Sequence, residues 1–163
     1  MKRIQIYLKE FRYQQWIKNF VVFLPAFFGS MIFDTSALGN AGVAFIIFSI
    51  SASVVYIMND YKDIEEDRKH PQKKHRPLAS GSISIKEAKA SVLILSLILI
   101  INNIWIGSTH FSIVILIYLI LNLTYSFGLK RIPIIEIITV ASFYVLRLLG
   151  GGILTEITIS FWL

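Results

Sequence analysis

The chain of 163 residues contains no cysteine, which excludes a disulfide framework and a thiolate metal site. It is also short of charge: 16% of its residues are Asp, Glu, Lys or Arg, against 55% hydrophobic residues. An ordinary soluble domain carries roughly 25% charged residues. With a mean hydropathy of +0.67, the composition is that of a membrane protein. The charge that remains is basic, with a formal value of +6 and a pI near 9.6. Where these charges lie, rather than their sum, argues against nucleic acid as the partner.

A third absence is positional. Five apolar segments, 17–33, 42–58, 90–106, 111–127 and 134–154, each approach the length needed to cross a ~30 Å hydrocarbon core as a helix. The connections at 34–41 and 107–110, and the residues after 154, contain no Lys or Arg. Five basic residues (Lys2, Arg3, Lys9, Arg12, Lys18) precede or open the first segment. Eight lie between the second and third, and Lys130 and Arg131 lie between the fourth and fifth. The positive-inside rule then predicts a cytoplasmic amino terminus and cytoplasmic basic loops. Residues 1–16, with Ile4, Leu8 and Phe11 at helical spacing, read as a short helix lying in the membrane interface, with Trp16 as an anchor. The expectation is an all-α, polytopic transmembrane helix bundle over 1–163, a single domain of five spans.

Against this background the stretch YIMNDYKDIEEDRKH, 56–70, places five carboxylates within eight residues where the second apolar segment ends. If that helix continues, Asn59, Asp60, Asp63 and Asp67 share one face, while Glu65 points away. Like charges this close repel, so a cation is needed. A solvated loop neutralised by Lys62, Arg68 and Lys69 is one answer. The other is Mg²⁺, which takes hard oxygen ligands, usually one or two protein carboxylates completed by water and substrate phosphates. The following RKHPQKKHRPLASGSIS, 68–84, brings five cations to the same mouth. Among them Arg76, before Pro77 and near Gly81, sits in a shaped turn and is a candidate phosphate ligand. His70 and His75 lack further metal-ligating partners and read as surface residues.

The run NDYKDIEEDRKHPQKKHRPLASGSIS resembles the first aspartate-rich motif, N-D-x-x-D-x-x-x-D, of the UbiA superfamily of intramembrane prenyltransferases, with Asn59, Asp60, Asp63 and Asp67 in register. RYQQWIKNFVVFLPAFFG, 12–29, and YSFGLKRIPIIEIITVASFYVLRLLGG, 125–151, are similar to the decaprenyl-phosphate phosphoribosyltransferase branch of that superfamily. The resemblance implies a nine-helix bundle around a central cavity that opens toward the cytoplasm and laterally to lipid, in a bacterial inner membrane. A second Asp-rich motif normally faces the first. This chain stops before one, so it reads as the amino-terminal half of such an enzyme, inactive alone. Glu136 stands where the family commonly has Asp.

Within that reading Asp60, Asp63 and Asp67 are the catalytic and metal-holding residues, with Mg²⁺ as cofactor. Lys18, Asn59, Arg76, Tyr125, Lys130, Glu136 and Arg147 bind substrate. For Lys130 the alternative is a cation complementing a helix carboxyl end, and for Tyr125 an interfacial tyrosine. Arg147 lies roughly 20 Å along the fifth span, where an isolated charge costs at least about 3 kcal/mol and should face a wet cavity or a partner. The implied partners are membrane lipid, phosphoribosyl pyrophosphate, and a polyprenyl phosphate or polyprenyl diphosphate. Three functions remain open: phosphoribose transfer to a polyprenyl phosphate, prenyl transfer to an aromatic or other small acceptor, and polyprenyl-phosphate binding without catalysis.

Overall fold

The computed structural model of the chain describes residues 2–128 and 132–159, apart from the Phe127 side chain, and among these residues the regular structure is entirely helical. Helix α1, Arg3–Glu10, leads into a 3₁₀ segment, Tyr13–Phe23, and a short α2, Leu24–Phe28. Then come α3, Thr35–Lys62, α4, Ile64–Lys69, α5, Ile85–Ile106, α6, Thr109–Phe127, and α7, Pro133–Thr155. Four of these, α3, α5, α6 and α7, are long and apolar enough to cross a membrane.

Local chemistry sets the helix boundaries. The Asp34 carboxylate accepts the Ala37 N–H at 2.7 Å and starts α3. Ser84 and Glu87 form a reciprocal capping box at the start of α5, and Gly107, at φ 67°, ends it in the left-handed conformation. Ser108 caps α6, and Pro133 opens α7, where its missing N–H costs nothing.

The first expected span, 17–33, is not one α-helix. At about 2.0 Å per residue for the 3₁₀ segment and 1.5 Å for α2, the two together reach roughly 30 Å. Pro25 has no N–H to offer the Val22 carbonyl, and α7 fills that side through Gly151, where a Cβ would overlap the Val22 carbonyl oxygen. The expected stripe of α1 is also divided. Phe11 turns inward with Ile6 and Tyr7 onto a buried cluster of Ile57, Leu78, Ile83 and Ala88, while Ile4 and Leu8 stay exposed.

Helix α3 is the centre, packed against the 3₁₀ segment, α5, α6 and α7. Its buried positions include Ala41, Ala44, Ser49, Ser51, Ala52 and Ser53, small residues that let neighbouring backbones approach. Phe48 sits edge-on to Phe111 and Tyr118, and a Cβ at Gly150 would lie 2.6 Å from the Phe48 ring. By contrast α5 packs chiefly on α3 and presents Leu93, Ile94, Leu97, Ile100, Ile101 and Ile104 outward, as a lipid-facing helix does.

These contacts predict opposite outcomes for two glycines. Gly151→Ala forces a methyl into a main-chain oxygen that cannot rotate away, and should destabilise the bundle by about 1–3 kcal/mol. Gly39→Ala, where no atom lies within 4 Å, should be neutral or slightly stabilising. Melting temperatures of the two variants, measured side by side in detergent, check this.

Candidate active site

The acidic motif lies where α3 ends. The helix does not continue unbroken through it: Asp63 caps α3 at φ −95°, and α4 restarts at Ile64. The turn is nevertheless bridged, since Asp67 N–H donates to the Asp63 carbonyl at 2.8 Å. Asp60 and Asp67 are buried. Arg76 Nη1 donates to Asp67 Oδ2 at 2.6 Å and to Asp60 Oδ1 at 3.1 Å, and Arg12 donates to the same Asp60 oxygen. Lys73 lies 3.9 Å from Asp67. The cations that neutralise these two carboxylates therefore come from the turn after the motif and from the amino-terminal segment.

The shaped turn expected around Pro77 and Gly81 is present. Ser80 N–H donates to the Arg76 carbonyl (2.9 Å) and Ile83 N–H to the Pro77 carbonyl (3.1 Å). Gly81 has φ 76°, and Leu78 and Ala79 are buried. The turn holds Arg76 between Asp60 and Asp67.

Arg12 itself has φ 50°, in the left-handed region, and its guanidinium lies 4.7 Å from the Tyr56 ring centroid. It lines a second feature, a cavity of about 290 Å³ between the 3₁₀ segment, α3, α6 and α7. Lys18, Asn59, Tyr125 and Arg147 line that cavity too, together with Tyr118, Asn122, Val140 and Phe143. Four of the sequence-predicted substrate residues thus meet in one place. Glu136 adjoins them by accepting a hydrogen bond from Tyr125 (3.1 Å). Lys130 lies outside the described residues.

Arg147 is buried on α7 and makes three hydrogen bonds, all to neutral groups. Nε donates to Asn19 Oδ1 (2.6 Å), Nη1 to the Phe143 carbonyl (2.7 Å) and Nη2 to the Tyr118 hydroxyl (2.9 Å). Among the described residues neither Arg147 nor Lys18 has an ion-pair partner. Asp63 has none either. Magnesium needs only one or two protein carboxylates, so Asp63 and the neighbouring Asn59 amide suit it as donors. Asp60 and Asp67 offer the same hard oxygens only in exchange for their arginines. Among the described residues no three acidic or histidine side chains converge as a ready metal cage.

Sequence reasoning missed Arg12, Asn19, Tyr118 and Glu10. Arg12 was counted only as part of the basic amino terminus. Asn19 carried a readable signal, as a lone amide inside an apolar run, a residue type that seeks a partner within a bundle. Trp16 donates its indole N–H to Ser53 Oγ at 3.1 Å, a partner that its sequence position does not reveal. Glu10 is buried beneath α1, and neither carboxylate oxygen has a hydrogen-bond partner among the described residues.

The family profile of the UbiA prenyltransferase family matches residues 8–163. The chain belongs to that family. Decaprenyl-phosphate phosphoribosyltransferase of Mycobacterium tuberculosis (strain ATCC 25618 / H37Rv) is 36% identical over 159 residues, covering 95% of this chain and 52% of that protein. The enzyme of the same name from Corynebacterium glutamicum is 34% identical over 158 residues, covering 95% and 48%. Digeranylgeranylglyceryl phosphate synthase of Sulfurisphaera tokodaii is 33% identical over 111 residues, covering 68% and 39%. A solved structure described as giving insight into digeranylgeranylglyceryl phosphate synthase in membranes superposes with a TM-score of 0.75 at 23% identity, covering 94% of this chain and 53% of its own. That likeness shows the fold, a UbiA-type membrane bundle. The chain spans about half the length of the curated relatives it matches.

Burial, and then the negative Asp60, push the Glu10 carboxyl up to about 7, with the Leu78 backbone, Arg12 and Arg76 pulling back only in part. The folded state therefore binds this proton more tightly than the unfolded chain, whose ordinary value is 4.5. Its stabilising effect is complete below about 4.5 and is lost as pH rises through 7. Glu10→Gln should thus melt higher than the parent at pH 8, by up to about 3 kcal/mol, and the gap should close by pH 5. Thermal melts across that range read the effect.

Proposed function

We propose that this chain supplies the amino-terminal part of the active site of a Mg²⁺-dependent integral-membrane transferase, in which phosphoribose passes from phosphoribosyl pyrophosphate to a polyprenyl phosphate with release of diphosphate. The observation that carries the reading is the cavity where Lys18 and Arg147 meet without acidic partners, next to an aspartate-rich mouth. Arg147, a buried cation at membrane depth, calls for an anion that arrives with a lipid. The names of the relatives favour phosphoribosyl transfer among the UbiA-type reactions.

In this reading the C1–O bond to diphosphate breaks as an oxygen of the acceptor phosphate forms its bond to C1. The nucleophile is already an anion, so no general base is required. Asp60, Asp63 and Asp67, with Asn59, would hold Mg²⁺, which supplies charge neutralisation on the leaving diphosphate. Lys18, Lys130 and Arg147 contact phosphate oxygens, and Arg76 does so with the donors its two aspartates leave. Glu136 fixes the Tyr125 hydroxyl at the cavity edge. The basic mouth faces the cytoplasm, where phosphoribosyl pyrophosphate is found, and 1–163 forms a single domain with α1 in the interface. Prenyl transfer to a small acceptor is the second reading, favoured by the likeness to the archaeal synthase over 111 residues.

Radiolabelled phosphoribosyl pyrophosphate, given to membranes containing the full-length protein, should put label into the lipid fraction. Label entering a small acceptor from a prenyl diphosphate instead would favour the second reading. Asp63→Asn should reduce the transfer to background while membrane insertion holds. Glu65→Gln, which loses only an exposed pair with Arg68 (2.8 Å), should transfer normally.

A further inference from the structure

The Arg147 guanidinium is held by an unusual set of partners for a buried cation. Three of its five N–H donors are taken by an amide oxygen, a main-chain carbonyl and a phenol. None carries a negative charge. The rings of Tyr118 and Tyr144 lie 5.0 and 5.6 Å from it and add attraction without neutralising it. The position costs least with a carboxylate beside the arginine. Residue 19, whose Oδ1 meets Nε at 2.6 Å, is where that carboxylate would stand.

Asn19 sits there instead, and its orientation is fixed. Its Nδ2 donates to Ser49 Oγ on α3 at 2.9 Å, so its oxygen must face Arg147. The amide is 1% exposed and has no other hydrogen bond among the described residues. An aspartate differs from it by one atom and would reach the same nitrogen. The chain keeps the neutral isostere, on a segment that touches both α3 and α7.

We propose that Asn19 is a positioning residue that aims the Arg147 guanidinium into the cavity without neutralising it, preserving its charge for the phosphate of a membrane-borne polyprenyl phosphate. This rests on the phosphate-binding role given to the cavity above and names the residue that sets its strength. The ligand is lipid-borne because Arg147 lies roughly 20 Å along α7, a helix long and apolar enough to cross a membrane, while Val55, Val140 and Phe143 give an otherwise polar cavity wall an apolar side.

The test is the binding of farnesyl phosphate and of uncharged farnesol to the full-length protein in zwitterionic nanodiscs, with melting temperature measured on the same samples. The parent should prefer farnesyl phosphate. Asn19→Asp should lose that preference by at least about tenfold, while farnesol binding and melting temperature hold or rise, since each decade corresponds to about 1.4 kcal/mol. Ser49→Ala adds no charge and only frees the amide to turn, so it should lose a few-fold and covers the case in which Asn19→Asp does not insert. Unchanged preference in Asn19→Asp, or in Ser49→Ala should the first not insert, overturns the proposal. So does equal loss of farnesyl phosphate and farnesol, the mark of a merely structural residue. Phosphoribosyl pyrophosphate that competes with farnesyl phosphate, with the same dependence on residue 19, overturns the lipid assignment. A parent with no preference for phosphate at all defeats the cavity reading itself, and this inference with it.

Discussion

A relay of ion pairs from Arg12 through Asp60 and Arg76 to Asp67 holds together the end of the bundle that carries the acidic motif. It joins four places in the chain: the hinge after α1, the last turn of α3, the last turns of α4 and the turn before α5. Both carboxylates are almost inaccessible to water. Removing Arg76 would leave the buried Asp67 with only Lys73 at 3.9 Å, and removing Arg12 would leave Arg76 to serve both carboxylates; broken buried pairs are far more costly than paired ones are favourable. The acidic motif and the amino-terminal segment are therefore one mechanical unit. A ligand that separates Asp60 from its arginines must also release the Arg12 side chain between α1 and the 3₁₀ segment.

Electrostatically the site has two compartments that meet at Arg12. At the mouth, positive and negative side chains satisfy one another. In the cavity below, the buried Arg147 has only neutral hydrogen-bond partners, and the low dielectric of its surroundings strengthens the field it makes. The arrangement spends its compensation near water, where charge is least costly, and withholds it at depth. Such a distribution disfavours the empty state of the cavity and favours an occupant that brings its own negative charge.

Much of this was legible in the sequence because the signals are local. The spacing of Asn59, Asp60, Asp63 and Asp67 and the lone arginine in the fifth apolar segment need only a helical period and the cost of charge in lipid. Four of the predicted residues do line one cavity. What was not legible depends on distant parts of the chain. Asp60 finds its partner 48 positions away at Arg12, and Arg147 finds its own 128 positions away at Asn19. The break at Asp63 and the 3₁₀ course of the first apolar segment also escaped, since periodicity does not distinguish a continuous helix from one that tightens to let a glycine backbone approach.

The lightly packed α5 bears on how this protein can diverge. Its outward side chains are exposed among the described residues, so one apolar residue can replace another at Leu93, Leu97, Ile101 and Ile104 with little cost to packing. Its first turn is another matter, because Glu87 caps the helix and also receives Arg3 and Tyr7 from α1. Substitution is thus tolerated along the exposed face of one helix and constrained at its first turn. A change at Ser84 or Glu87 would undo the start of α5 and its tie to α1 together.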